Sequence, residues 1–145
     1  MVKFEKVLRI GDNIKLPERA TTNSAGYDFY AIEDILLQPK QLTRIMTGVK
    51  CALEPYMVLI LANRSSNPSK KSLFLANGIG VVDADYYDNP DNEGEIGFEF
   101  YNNSDRIIEI KKGEKIGQGI IMSYYKAEDD KTTGSRAGGF GSTGK

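Results

Sequence analysis

Short runs of strand-type residues, separated by turn clusters, occur along most of the chain and restrict the folds that it can adopt. Residues 96–101 alternate apolar side chains with others, which is the pattern of a strand buried on one face. Residues 57–61 form a continuous apolar run of strand length, which favours a place in a core sheet. Further strand candidates lie at residues 44–53, 106–111 and 117–125.

Helical signals are weak by comparison. No window keeps an apolar stripe over four helical turns, and only residues 66–75 favour one short stretch of helix. Short strands that recur between turns rich in glycine, asparagine and proline are typical of a sandwich or a barrel. The sequence therefore predicts an all-β fold, as a β-sandwich or a barrel.

The end of the chain differs in composition from the rest. Residues 134–145 are rich in glycine but carry one aromatic ring, Phe140, and one guanidinium, Arg136. Because glycine loses the most conformational freedom on ordering, we expect this tail to be mobile without a ligand. The predicted organisation of the 145 residues is one β-domain over residues 1–128 and a flexible C-terminal arm over residues 129–145. A disordered terminus is the alternative interpretation of the arm.

Charge and composition exclude several function classes. The chain has 19 basic and 20 acidic residues, so it is not expected to bind nucleic acid or a membrane through bulk charge. It has no histidine and a single cysteine, Cys51, which excludes histidine-based acid–base catalysis, Ser-His nucleophiles and histidine-ligated zinc. Any catalysis must therefore use carboxylates, hydroxyls, amides, arginine or a metal held by oxygen atoms.

Two features predict the compartment. Residues 1–7 carry charges throughout, unlike a secretory signal, and the longest apolar run, residues 56–62, is too short to span a bilayer. A single cysteine excludes a disulfide framework within the chain and fits a reducing environment. We expect a cytoplasmic protein.

Polar groups gather at several turns and strand ends. Asp28 follows a glycine turn at the start of a strand, and residues 63–66 place amide, guanidinium and hydroxyl groups directly after the buried 57–61 run. Gln118 lies between two glycines on another strand, an unusual place for a long amide unless a backbone or a ligand comes close. Each group also has a purely structural interpretation, as a turn acid, a loop hydroxyl or a strand amide.

Residues 77–86 have the composition of a tight hairpin that ends in two acids. Asp83 and Asp85 are two positions apart, so on a strand they would point to the same side, with Tyr86 opposite. Solvated hairpin charges are the alternative interpretation.

In this order, these segments resemble the five motifs of the trimeric-type dUTP diphosphatase (dUTPase) family. The matching segments are residues 25–31, 63–66, 77–86, 113–118 and 136–144. The resemblance implies a jelly-roll β-subunit in a homotrimer, in which the tail of one subunit closes over a site built by the other two. It also implies Mg²⁺-dependent hydrolysis of dUTP to dUMP and pyrophosphate, which keeps uracil out of DNA and supplies dUMP for thymidylate synthesis.

The resemblance assigns roles around the nucleoside. Asp83 would hold and deprotonate the water that attacks the α-phosphorus. Tyr86 would pack on the deoxyribose from the rim of the site and leave no room for a 2′-hydroxyl. Uracil's pairing edge would be read by Asn77 and the adjoining hairpin backbone, including Gly80 and Val82.

It assigns a second set of roles around the phosphates and the metal. Asp28 would hold the hydration shell of Mg²⁺. Arg64 belongs to the substrate-binding set, where it would brace the site in an ion pair with Asp85. The phosphate chain would contact Ser65, the Ser66 amide and Gln118, and the tail would contribute Arg136, Phe140, Gly141, Ser142 and Thr143, with Phe140 over the uracil.

The chain departs from the family pattern at three places. Residues 87–93 form a polar insertion beside the expected sugar pocket, Asn63 replaces the usual proline before Arg64, and Arg136 stands one place nearer Phe140 than is common. Two alternatives remain open. One is a dCTP deaminase of the same fold, and the other is a dUTPase that also binds a regulatory protein through the acidic residues 88–95.

Overall fold

The computed structural model describes residues 1–141 and residue 143, and the fold is almost entirely β. The elements in chain order are β1 Lys3–Lys6, β2 Glu18–Arg19, β3 Tyr27–Tyr30, β4 Ile35–Leu37, β5 Leu42–Met46, β6 Val49–Ala52, β7 Met57–Asn63, helix α1 Ser66–Lys71, β8 Leu73–Leu75, β9 Gly80–Asp83, a 3₁₀ turn Ala84–Tyr86, β10 Gly97–Asn102, β11 Ile108–Ile110 and β12 Lys115–Ser123. The prediction of an all-β fold is confirmed. Among the described residues no helix is both long enough and apolar enough to cross a membrane.

The strands form antiparallel sheets that enclose one core. A five-stranded sheet has the order β2-β3-β12-β7-β9, and a three-stranded sheet has the order β5-β10-β8. Two further pairs, β1 with β6 and β4 with β11, complete the pairing among the described residues. The rings of Phe29 on β3 and Phe98 on β10 have centroids 5.4 Å apart, so the two larger sheets face one another across the core.

The alternation at residues 96–101 places one face of β10 in this core. Phe98 and Phe100 are buried, whereas Glu99 and Tyr101 on the other face keep partial exposure. The core ring of Phe98 also explains a glycine on the facing strand, because a Cβ at Gly117 of β12 would lie 2.3 Å from Phe98 Cε1. Close packing of rings against β12 therefore requires a strand without a side chain at this position.

Two predicted elements have different bounds in the structure. The predicted strand 44–53 is broken into β5 and β6 at Gly48, whose φ of +71° turns the chain. The predicted helix 66–75 ends at Lys71, because Ser72 adopts a left-handed conformation and its N–H donates to Pro68 O at 3.1 Å. The chain then continues as β8, which pairs with β10.

The predicted hairpin at residues 77–86 is wrong as a pair of bonded strands. β8 pairs with β10 in one sheet, whereas β9 pairs with β7 in the other. The turn between them contains Gly78 at φ +72°, and the Gly78 N–H donates to Leu75 O at 3.0 Å. The chain therefore crosses from one sheet to the other at this turn.

Candidate active site

A cavity of about 240 Å³ lies between the end of β9, the start of β10 and the C-terminal tail. Most of its lining was predicted from the sequence: Asn77, Gly80, Val82, Asp83, Tyr86, Arg136, Phe140, Gly141 and Thr143. The remaining lining residues were missed: Leu61, Val81, Ile96 and Gly97. Of these, Gly97 had a sequence signal, because a glycine inside a strand marks a close approach. A Cβ there would lie 2.7 Å from Met46 Sδ.

Strand β9 forms one wall of this cavity. Gly80 pairs with Leu61 of β7, and a Cβ at position 80 would lie 3.0 Å from the Leu61 side chain. Val82 is buried, whereas the Asp83 side chain keeps about half of its exposure, 51%, at the end of the strand. The wall therefore presents backbone groups and one accessible carboxylate.

The acids at the end of β9 bind the guanidinium of the C-terminal tail. Arg136 Nη2 lies 2.5 Å from Asp83 Oδ2, and Arg136 Nε lies 2.8 Å from Asp85 Oδ1. Asp85 is in the 3₁₀ turn and not on the strand, yet both carboxylates reach the same cation. One arginine thus bridges two acids through charge-assisted hydrogen bonds.

The predicted ion pair between Arg64 and Asp85 does not form in the structure. Asp85 is occupied by Arg136, and Arg64 Nη1 instead donates to Lys115 O at 3.2 Å. The reason is position, because Arg64 follows the opposite end of β7 from the residue that pairs with Asp83.

The tail ring packs at the mouth of the cavity. Phe140 meets Tyr86 edge to face, with centroids 6.3 Å apart and an interplanar angle of 86°. The guanidinium carbon of Arg44, on β5, lies 4.1 Å from the Phe140 centroid. Phe140 is 52% exposed, so it covers the cavity without being part of the core.

Tyr86 lies deeper than predicted. Its side chain was expected at the rim, but it is only 8% exposed, and its phenol donates to Glu95 O at 2.7 Å. Burial raises the pKa of the Tyr86 phenol above its ordinary value. Its removal would therefore disturb the local fold as well as the cavity.

The other residues predicted to contact phosphate and metal, namely Asp28, Ser65, Ser66 and Gln118, lie outside the cavity lining and form a second group. Gln118 on β12 pairs in register with Asp28 on β3 and with Ala62 on β7. Its amide donates to Asn63 O at 3.1 Å, and a Cβ at Gly26 would lie 2.2 Å from its Oε1. The close backbone that the sequence suggested for Gln118 is thus Gly26. Ser65 and Ser66 continue from the same end of β7.

Asn63 organises this second group. Its Nδ2 donates to Leu73 O at 3.0 Å, and its Oδ1 accepts from the Arg64 N–H at 2.9 Å and from Asn67 Nδ2 at 2.8 Å. An amide that bonds three neighbours holds the start of α1 against β8. The exposed hydroxyl of Ser65 makes no capping bond to the helix.

Asp28 is the candidate for the metal. Its carboxylate lies 2.6 Å from Lys115 Nζ, and its side chain is 17% exposed. Within residues 1–141 and 143, no group of three or more acidic, cysteine or histidine side chains comes together to form a metal cage. The single carboxylate of Asp28 fits a role through water, because Mg²⁺ keeps several waters and binds through one or two carboxylates together with substrate phosphates.

The polar insertion packs against the rest of the chain. Lys50 pairs with Asp88 and lies 3.7 Å from Glu93, whose carboxylate also accepts from the Leu8 N–H at 3.2 Å. Glu95, just beyond it, is buried, accepts from the Gly48 N–H at 2.8 Å and pairs with Arg9. These acidic groups are therefore bound within the chain.

The tail lies over the cavity of its own chain in this single-chain structure. After β12 ends at Ser123, residues 124–135 are exposed and have neither helix nor strand. Ser142, predicted to contact the phosphates, lies outside the described residues.

Known proteins of similar sequence and structure agree on one family. The dUTPase family model matches residues 12–144. A deoxyuridine 5′-triphosphate nucleotidohydrolase of Lactococcus lactis is 44% identical over 144 residues, which cover 97% of this chain and 96% of that protein. One of Helicobacter pylori is 33% identical over 146 residues, with 96% and 95% covered.

Solved structures give the same result. A dUTPase from Streptococcus mutans superposes with a TM-score of 0.83 at 38% identity, covering 86% of this chain and 98% of that one. The dUTPase from phage phi11 of S. aureus, at 22% identity and a TM-score of 0.74, covers 91% and 96% and shares the fold. These relatives do not favour the alternative of a dCTP deaminase. With the cavity, its acids and its glycine-rich tail in place, the chain belongs to the dUTPase family.

Proposed function

We propose that this chain hydrolyses dUTP to dUMP and pyrophosphate through attack of water on the α-phosphate. The observation that carries the proposal is the cavity that joins an accessible carboxylate, Asp83, to Tyr86 and the tail residues Arg136 and Phe140. In the cell this reaction would keep uracil out of DNA and supply dUMP for thymidylate synthesis.

The cavity suits a pyrimidine base. Uracil presents acceptor, donor and acceptor along its pairing edge, which Asn77 and the backbone of Gly80 and Val82 would complement. Cytosine changes the donors and would leave buried groups unpaired, which is an expensive mismatch. Thymine must be rejected by contact, and the glycine at position 80 allows the backbone to come close enough to do so. Phe140 would cover the opposite face of the base.

Asp83 would orient the attacking water and accept its proton. Phosphoanhydride hydrolysis needs positioning and charge neutralisation more than a covalent nucleophile. A positioned general base contributes about 10²–10⁴-fold. Arg136 forms an ion pair with Asp83 in the structure. We infer that Arg136 leaves it for the β- and γ-phosphates, with Ser142, Thr143 and Gly141 of the tail.

The second group would bind the triphosphate. The Ser65 hydroxyl, the Ser66 amide, Gln118 and Arg64 offer donors near the end of β7 and on β12. Asp28 would hold the hydration shell of Mg²⁺, and the metal would neutralise phosphate charge when bound. The Asp28 carboxylate is paired with Lys115 Nζ at 2.6 Å, which fixes its orientation.

A homotrimer would bring the two groups together. Within one chain the cavity proposed for the nucleoside is separate from the residues proposed to bind the phosphates. A complete site would therefore combine surfaces of different subunits. We propose that residues 129–145 form an arm that closes over a site of the other two subunits. The length of the exposed segment 124–135 supports this proposal, because an extended chain spans about 3.3–3.6 Å per residue. That reach would allow the tail contacts described above to form on a neighbour's identical cavity.

Two further aspects follow from the chain's chemistry. A single buried cysteine is consistent with a reducing compartment, and we propose the cytoplasm. We propose that a regulatory partner, the second alternative, would contact residues 88–95, where the acidic side chains of residues 88, 93 and 95 also bind groups of the same chain.

The test is pyrophosphate release from dUTP, UTP, dTTP and dCTP with Mg²⁺. We expect dUTP to be hydrolysed with a kcat/KM far above the other three. Ammonia release from dCTP would support the deaminase alternative. We also propose that Tyr86 packs on the deoxyribose and leaves no room for a 2′-hydroxyl, and equal rates for dUTP and UTP would contradict that contact.

A further inference from the structure

The insertion at residues 87–93 makes a direct contact with the phenol of Tyr86. Asn92 Nδ2 donates to the phenol oxygen at 2.8 Å, while that oxygen donates its own proton to Glu95 O at 2.7 Å. The ring is therefore held from two directions at its polar end, once by a backbone carbonyl and once by a side chain of the insertion.

Asn92 is itself held in one orientation. Its Oδ1 accepts from Asn89 Nδ2 at 2.7 Å and from the Gly94 N–H at 3.0 Å. Both partners are donors, so they assign the oxygen to that side and leave Nδ2 facing Tyr86. The Asn92 N–H in turn donates to Asn89 Oδ1 at 3.1 Å, which closes the loop on itself.

The same loop also holds the backbone of Tyr86. Asn89 Nδ2 donates to Tyr86 O at 2.8 Å, and the Asn89 side chain is buried, with only 5% exposed. Gly94 has φ +83°, and a Cβ there would lie 2.6 Å from Tyr86 O. Main chain and ring of Tyr86 are thus fixed by one compact structure.

We infer that Asn92 is a positioning residue that holds the Tyr86 ring where it excludes a ribose 2′-hydroxyl. The inference depends on the proposed contact between Tyr86 and the sugar. Exclusion of a single hydroxyl requires a wall placed to a fraction of an ångström. A phenol bonded to one carbonyl can pivot about that bond, whereas a second bond from another direction prevents the pivot. The insertion then sets sugar specificity without touching the substrate.

The test uses Asn92→Asp, which keeps an oxygen for Asn89 and Gly94 but cannot donate to Tyr86. We expect the dUTP/UTP ratio of kcat/KM to fall about three- to tenfold, the effect of one lost hydrogen bond, mainly through faster UTP turnover. Asn103→Asp adds the same charge at an exposed position outside the site and should leave the ratio unchanged. A merely structural role would lower the melting temperature and both kcat/KM values together, and that result would overturn the inference.

A double-mutant cycle with Tyr86→Phe isolates the pair. Tyr86→Phe keeps the ring and removes both hydrogen bonds of the phenol, so it should lower the dUTP/UTP ratio of kcat/KM by itself. Adding Asn92→Asp to Tyr86→Phe should then cause no further fall in that ratio. If Tyr86→Phe leaves the ratio unchanged, or if Asn92→Asp has its full effect in that background, the inference is wrong. Tyr86→Ala tests the sugar contact separately. An unchanged ratio in that variant would refute the proposed role of Tyr86 and not only that of Asn92.

Discussion

Arg136 of the tail and Asp83 of β9 form an ion pair with a distance of 2.5 Å between Nη2 and Oδ2. The acid proposed as the general base is therefore held by the tail. Asp85 accepts from the same guanidinium at 2.8 Å, so the pair is supported by a second carboxylate. Both acids hold the guanidinium, but only Asp83 is proposed as the general base.

Asp83→Asn should lower turnover at least about 100-fold while dUTP still binds, because the variant keeps the shape but lacks the base. Asp85→Asn is the matched control, since it loses a contact to Arg136 but leaves the base intact, and its turnover should fall far less. Single-turnover kinetics and dUTP binding would measure both. Turnover of Asp83→Asn within a few-fold of the unaltered chain would exclude Asp83 as the base.

A chain ending at Thr133 should still fold and trimerise. It loses the stacking of Phe140 on the base, commonly about 1–3 kcal/mol, and the charge-assisted contact of Arg136, about 1.5–3 kcal/mol. Ordering the glycines offsets part of that sum, so the net loss of binding should be smaller. Because closure also excludes water, kcat should fall more than affinity. Size-exclusion chromatography and thermal melting test the fold, and a truncated chain that is monomeric or unfolded would mean that the tail is structural. Unimpaired turnover would mean that the tail has no role in catalysis.

The truncated chain also shows whether the arm acts between subunits. Mixed trimers of the truncated chain with full-length Asp83→Asn should recover activity well above either parent, because an arm from one subunit then covers an intact acid of another. An arm that serves only its own chain would leave every site without either the arm or the acid, and the mixture would stay inactive. Refolding the two chains together and assaying pyrophosphate release distinguishes these outcomes.

Gly139→Ala should impair closure of the tail. A Cβ at position 139 would lie 2.8 Å from Tyr86 Cε2 and 3.2 Å from Asn92 Nδ2, so the tail cannot keep its path across Tyr86. Gly134→Ala is the control, since a Cβ there meets nothing within 4 Å. We expect kcat to fall several-fold only for Gly139→Ala, with unchanged melting temperatures for both. Equal kinetics would show that the tail follows another path during turnover.

Cys51 should make stability depend on pH in the alkaline range. Burial raises the pKa of its thiol to about 12, whereas the pKa of a thiol in the unfolded chain is about 8.5. The folded state binds this proton more tightly, so the stabilisation is complete below about pH 8.5 and is lost as the pH rises towards 12. Urea unfolding at pH 7 and 9.5, at one protein concentration, should show that the free energy of unfolding falls by about 1.4 kcal/mol per pH unit above 8.5. The Cys51→Ala variant should not show this fall. The same loss in both proteins would contradict this account.

The all-β fold class and most of the residues that line the cavity could be predicted from the sequence. The alternation at residues 96–101 is a local pattern with the period of a strand, and Phe98 and Phe100 occupy the core as it predicts. The residues around Asp83 and the glycine-rich tail were recognisable because their types and order are themselves the signal. Absent histidine limited the chemistry to oxygen and guanidinium groups.

Which of these side chains contact one another depends on the tertiary structure. Residues 77–86 look like a hairpin, but β9 bonds to β7 and not to β8, because register depends on partners distant in sequence. Arg136 and Asp83 lie 53 positions apart, and no local pattern predicts their ion pair or the failure of Arg64 to reach Asp85. The anchoring of Tyr86 by Asn92 likewise needs a loop folded back on a buried ring. Side-chain contacts of this kind arise only when the packed sheets fix where each turn ends.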